Sequence, residues 1–229
     1  MNVSELASGG APLLGEPPAI ELANTAYAVR GRPQEGLAGR EELAAWLRDV
    51  RPRLAIRLTD QDLLGADEND LRTARALRDA VRELATAAVH RTPPPREAVD
   101  TVNETARAAP HWRALAWGGD DPAAEAPSAT AHSAGRPVAA ALAELAESVI
   151  SLFTGPELAA LRACQGPRCV LFYVKTHPRR TWCSPACGNR ARAARHQLRD
   201  RPRAVSENSG TGDTGRTADE VAESARRSR

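Results

Sequence analysis

Four cysteines carry the clearest chemistry in the chain. Cys164, Cys169, Cys183 and Cys187 are spaced C-x4-C-x13-C-x3-C, and the 229 residues contain no other cysteine. Two close pairs separated by a short segment suit a tetrahedral zinc ion, because each pair closes a small loop on the metal and the segment between them brings the pairs together. Thiolate is the fitting ligand: zinc is borderline-soft, and a four-sulfur site leaves no position for water, so one structural Zn2+ is expected. Four free buried thiols or a redox-active pair are the alternatives, and neither accounts for the clustering. His177 and His196 are substitute ligands to consider, the first in a turn and the second along a helix.

Such a site needs elements to hold it. Val170-Leu171-Phe172-Tyr173-Val174 is an apolar, β-prone run. Thr176-His177-Pro178-Arg179 has turn character, and Arg180-Thr181-Trp182 is expected to return as a second strand. Ser184 then caps a helix with Pro185 at its first position, running to about Arg199. Cys187 falls in the first turn of that helix, where the positive end of the helix dipole favours a thiolate. Knuckle, hairpin and helix together predict a treble-clef-like finger.

The formal net charge of +2 hides a segregation. Residues 162–203 hold eleven basic side chains and one acid, a net +10, whereas the remainder holds 20 bases and 28 acids, a net −8. At about 100° per residue, Arg192, Arg195 and Arg199 share one helix stripe, with Ala191, Ala194 and Leu198 on a less polar stripe beside it. A helix anchored on one side and carrying guanidinium groups on another suits a phosphate backbone. Arg179 and Arg180 join the expected phosphate contacts. Asn189, Arg190 and His196 are candidates for base edges, since Asn and Arg make bidentate contacts to adenine and guanine. Double-stranded DNA is the expected partner, a short basic helix fitting the major groove. A solvated basic surface with no partner is the plain alternative.

The segment Trp182-Cys183-Ser184-Pro185-Ala186-Cys187-Gly188-Asn189-Arg190 resembles the CGNR zinc finger, whose name is the tetrad Cys187-Gly188-Asn189-Arg190. In that family the finger ends a protein whose larger N-terminal part is the ABATE domain, associated by description with stress-induced transcription regulation. The resemblance implies the four cysteines as zinc ligands and the following helix as a DNA-contacting element. The family's opening helix is matched by Ile20-Glu21-Leu22-Ala23-Asn24-Thr25, with Glu21 and Leu22 where Asp and Phe are usual, and Trp46 fits its second helix. Between the cysteine pairs the chain has Val174-Lys175-Thr176-His177 where many members carry an Asp, so no role of that Asp is carried over.

The rest of the chain predicts a mainly α fold with a short β ribbon. Residues 1–15 and 204–229 read as disordered, 16–160 as a helical ABATE-like domain and 161–203 as the finger. Helical patterns cover about 19–30, 40–50, 70–90, 96–108 and 138–152, with a short strand near 112–117 and a loop from 118 to 137. Thr154 and Glu157 suggest a capping box for one more short helix. Asn24, Thr25 and Arg30 form a polar cluster on an apolar helix, read either as a small-molecule site or as a cap and turn. The histidines His90, His111 and His132 suggest no catalytic set, so no enzyme is expected. No apolar run of membrane-spanning length and no secretory leader are evident, and a cytoplasmic location is expected. Oligomeric state is left open. The combined expectation is a zinc-finger DNA-binding regulator with a ligand- or signal-sensing N-terminal domain. Two alternatives are a protein-interaction or dimerisation finger, and a small-molecule-binding protein with a purely structural zinc.

Overall fold

Apolar residues at three- and four-residue spacing need a partner surface, and two long helices supply it to one another. In a computed structural model that describes residues 10–117 and 127–200, these are α4 (Glu68–His90) and α6 (Pro137–Thr154). Around them stand α1 (Pro18–Ala23), α2 (Arg40–Val50), α3 (Asp60–Leu64) and α5 (Arg96–Ala108). Leu71, Leu77 and Val81 of α4 meet Leu142, Leu145 and Val149 of α6 in one core, closed by Ile20, Leu22, Leu43 and Trp46. Asp67 caps α4 through a reciprocal capping box with Asp70. Arg136, just before α6, donates to both carboxylates and so fixes the starts of the two helices to each other.

By length and composition α6 is apolar enough to cross a membrane, contrary to the sequence reading, but half of that stretch is buried inside the fold. Its apolarity has a local explanation, because it is the central core helix.

Two further expectations are corrected. The first helix stops at Ala23; residues expected to continue it to Arg30 form β1 (Ala26–Val29), paired antiparallel with β2 (Arg32–Glu35). The β-branched and aromatic residues after Thr25 favour a pleated strand, and Arg30-Gly31 turns the hairpin with φ of 52° and 84°. The expected loop after residue 117 contains β4 (Ser128–Ser133), paired with β3 (His111–Ala116); residues 118–126 of that loop lie outside the described residues. This ribbon exposes Trp112, Leu115 and Trp117.

Residues 10–15, expected to be disordered, also lie on the body: Ala11 is fully buried, and the Leu14 amide donates to Glu21 at 3.0 Å. The remaining expectations of disorder, for 1–9 and 204–229, fall outside the described residues.

Candidate metal centre and its seam with the body

The finger's hairpin differs from the expected one. Phe172–Val174 is a strand, β6, but its partner is β5 (Leu161–Ala163), with Leu161 opposite Val174 and Ala163 opposite Phe172. Arg180-Thr181-Trp182 forms no strand. The first cysteine pair decides this, because Cys164 and Cys169 bracket the true turn. The Cys169 amide donates to Gly166 O at 2.9 Å, and the Cys164 amide to Leu171 O at 2.8 Å, which closes the knuckle. A one-turn 3-10 helix (Pro156–Ala160) begins at Gly155 with no side-chain cap, so the expected Thr154–Glu157 capping box does not form.

The second pair comes from the start of α7 (Pro185–Asp200), as expected. Ser184 Oγ accepts from the Cys187 amide at 3.4 Å. The four sulfurs lie within 4.8 Å of one another. Individual separations are 3.8 Å for Cys169–Cys183, 3.4 Å for Cys183–Cys187 and 3.6 Å for Cys169–Cys187. These are far too long for disulfides and close to the ~3.8 Å edge of a tetrahedron with Zn–S of about 2.3 Å.

The surroundings fit such an ion. A Cβ on Gly166 would lie 3.1 Å from Cys187 Cβ and 3.3 Å from its Sγ, so the glycine allows the knuckle to close on the sulfurs. Backbone amides of Gly166 and Cys183 point at Cys164 Sγ, at 3.4 and 3.5 Å. Arg190 Nη2 donates to Cys187 Sγ at 2.9 Å. Four thiolates on Zn2+ carry two net negative charges, which these donors offset. The sulfurs also bias one another: bonding to Cys164, Cys169 and Cys183 holds the Cys187 thiol far below its ordinary range, with the Arg190 charge adding to this. Bonding to Cys169 brings Cys164 down to about 7, whereas the same network pushes Cys183 up. The four cysteines are thus positioned for a single metal ion, and zinc supplies folding free energy when bound there.

The expected nucleic-acid contacts divide into two groups. Arg179, Asn189, Arg192, Arg195 and His196 are exposed. Arg195 lies over the Trp182 ring at 5.9 Å, and Arg192 bonds to Asn189. Arg180 and Arg190 point inward. Arg190 serves the cluster, and its Nε is buried with no hydrogen-bond partner among the described residues. Arg180 donates to the carbonyls of Val174, Trp182 and Cys183, bonds the Glu16 carboxylate and covers the Tyr173 ring at 4.9 Å. The side chain of Arg199 lies outside the described residues. Gly188 packs against Trp182, whose Cδ1 would be 2.9 Å from an added Cβ.

Asn24, Thr25 and Arg30 do not converge on a pocket. Asn24 is fully buried; its Nδ2 donates to Phe172 O and its Oδ1 accepts from Phe172 N, both at 2.9 Å. Thr25 Oγ1 donates to Leu22 O, and Arg30 is exposed at the β1–β2 turn. Asn24 is therefore a clamp holding β6 to α1, so the metal-bearing hairpin is fastened to the body.

Glu16 and Glu21 complete that seam, and the sequence gives no local sign of it. Glu16 Oε2 accepts from Val174 N at 2.8 Å while Arg180 and Arg53 approach its other oxygens. Glu21 accepts from the amides of Leu14 and Glu16 and pairs with Arg53 at 3.4 Å. Burial raises both carboxyl groups above the ordinary glutamate value, against the lowering influence of these donors. A folded-state value above the unfolded one means that the stabilising contribution is complete below about pH 4.5 and is lost as pH rises through the raised value. Glu21→Gln, which keeps an acceptor without the charge, should gain stability relative to the parent as pH rises from 4.5 to 8. Urea unfolding at several pH values, with zinc held saturating, checks this; a difference independent of pH would contradict it.

The ABATE family model, described as "Putative stress-induced transcription regulator", matches residues 16–156. The CGNR zinc finger model matches residues 160–200. No curated protein sequence matches the chain. Neither family description names an enzyme. With the first match covering more than half its length and the second taking in all four cysteines, the chain belongs to the ABATE family and carries a CGNR zinc finger directly after that domain.

Proposed function

We propose that the chain is a non-enzymatic regulator whose finger binds double-stranded DNA, with the helical body as the part that receives a signal. The observation that carries this reading is the pairing of cations. On the body, seven arginines (Arg40, Arg48, Arg51, Arg53, Arg78, Arg96 and Arg136) have carboxylate partners, and the others lie in a part of the chain where acids outnumber bases, whereas residues 161–197 hold no acid at all. On the finger, Arg162, Arg168, Lys175, Arg179, Arg192 and Arg195 have none among the described residues, and five of these six are exposed. Like charges left unpaired on one small surface repel one another, and a polyanion relieves that repulsion by releasing its own counterions. Arg192 and Arg195 stand on α7 beside exposed Asn189 and His196, and Asn and Arg are residue types that read base edges.

Replacing Arg192 and Arg195 together by Ala should weaken binding to a random-sequence duplex tenfold or more at about 50 mM salt. It should also reduce the slope of log K against log salt by about two. Fluorescence anisotropy with zinc-loaded protein measures both. Unchanged affinity at low salt would remove the DNA reading and leave the finger as a protein-interaction or dimerisation module. In vitro selection from random duplexes then shows whether base edges are read as well.

A further inference from the structure

Three non-glycine residues among those described have positive φ, and all three are arginines: Arg30 at 52°, Arg91 at 56° and Arg168 at 58°. Glycine or asparagine takes that conformation at lower cost, so an arginine there keeps its side chain at the expense of backbone strain. Arg168 also shows where its side chain goes. Its stem lies across the β1–β2 turn, and an added Cβ on Gly31 would stand 2.6 Å from Arg168 Cδ.

Beneath that stem is a cleft of about 450 Å³ between the β1–β2 hairpin and the first knuckle. Its walls are mainly apolar, from Ala26, Tyr27, Ala28, Pro33 and Val170, and its two charged lining residues are Arg82 and Arg168. Arg82 reaches the cleft from α4. Its Nη1 donates to the carbonyls of Ala23 and Ala26 at 2.9 and 3.0 Å, and its Nη2 to Val170 O at 3.2 Å. The guanidinium lies over the Phe172 ring at 5.5 Å. No carboxylate among the described residues forms an ion pair with it. Burial, together with the charge of Arg78, makes its protonated form harder to hold than usual. Asp79 opposes this only at a distance, so a half-buried cation held by carbonyl dipoles and a ring face has no carboxylate in direct contact.

We propose that this cleft binds a small organic anion, a carboxylate or phosphate on an apolar body, with the anionic group between Arg82 and Arg168 and the apolar part against Tyr27, Pro33 and Val170. A mostly apolar concavity with a few convergent charged donors is the usual form of a small-molecule site. One wall belongs to the body and the other to the loop that carries Cys164 and Cys169, so an occupant touches both units. The site does not depend on the DNA reading.

The test uses zinc-loaded full-length protein, with phenyl phosphate as probe and benzyl alcohol as its uncharged counterpart. Millimolar phenyl phosphate should shift the Gly31 and Val170 amide resonances, and benzyl alcohol should not. Arg168→Gly is the informative variant, because glycine accepts the left-handed backbone and the fold should hold with an unchanged or raised melting temperature. It should lose affinity for phenyl phosphate tenfold or more, as expected for removal of a charge-assisted donor. No response of the parent protein, an equal response to benzyl alcohol, or undiminished binding by Arg168→Gly would each overturn the proposal.

Discussion

Cys183→Ser should cost the chain more than its finger. A structural zinc in finger peptides is worth about 10–16 kcal/mol at neutral pH, which matches or exceeds the ~5–15 kcal/mol that separates a folded domain from its unfolded state. If finger and body were independent, metal loss would unfold residues after 160 and leave the helices intact. The packing argues otherwise. Leu161 of β5 and Phe172 and Val174 of β6 belong to the same core as Leu77, Val81 and Leu145. Losing the knuckle frees that strand pair and opens the body's core on one side. The expected result is a melting temperature lowered by about 10 °C or more, in one transition seen alike by far-ultraviolet circular dichroism and by tryptophan fluorescence. Chelation of the parent protein should reproduce it. An unchanged body transition after complete zinc removal would show that the two parts fold separately.

The second large effect is expected at Asn24. Asn24→Ala leaves the amide and carbonyl of Phe172 buried with neither of the two bonds that Asn24 made to them. Each orphaned group costs about 1–3 kcal/mol, so the loss of both should be about 2–6 kcal/mol in urea unfolding with zinc saturating. A residue that merely faced a ligand would cost within about 0.5 kcal/mol. Asn24→Asp should not rescue the loss, since a carboxylate accepts from the Phe172 amide but repels its carbonyl. A cost below 1 kcal/mol for Asn24→Ala would contradict the clamp.

These two residues also mark what a sequence shows and what it hides. The cysteine spacing identified the metal centre because ligand geometry is nearly local: each pair closes a loop of a few residues. Helices α2, α4, α5, α6 and α7 were legible from their apolar period and from Pro185 at an N-terminus. Asn24 was visible as a polar residue among apolar ones, but its partner lies 148 positions away. Arg180 looked like its basic neighbours, yet Glu16, 164 positions earlier and in a segment rich in Gly and Pro, takes it out of the solvent-facing set. The wrong strand partner had the same origin. Turn residues after Lys175 suggested a return strand, while the real turn was the knuckle itself, and β6 paired backward to residues before Cys164. Local chemistry fixes local structure, and long-range pairing then selects among the options.

The separation between Asn24 and Phe172 also sets a schedule. A ribosome adding about 5–20 residues per second leaves Asn24 waiting on the order of ten seconds for its partner to be made. Throughout that interval α1 has emerged without the strand that satisfies it, and Glu16 lacks both the Val174 amide and Arg180. The body can collapse during synthesis, but its last wall arrives with β5 and β6, which flank the first cysteine pair. Completion of that wall and capture of the metal therefore both wait on the segment from Cys164 to Cys187.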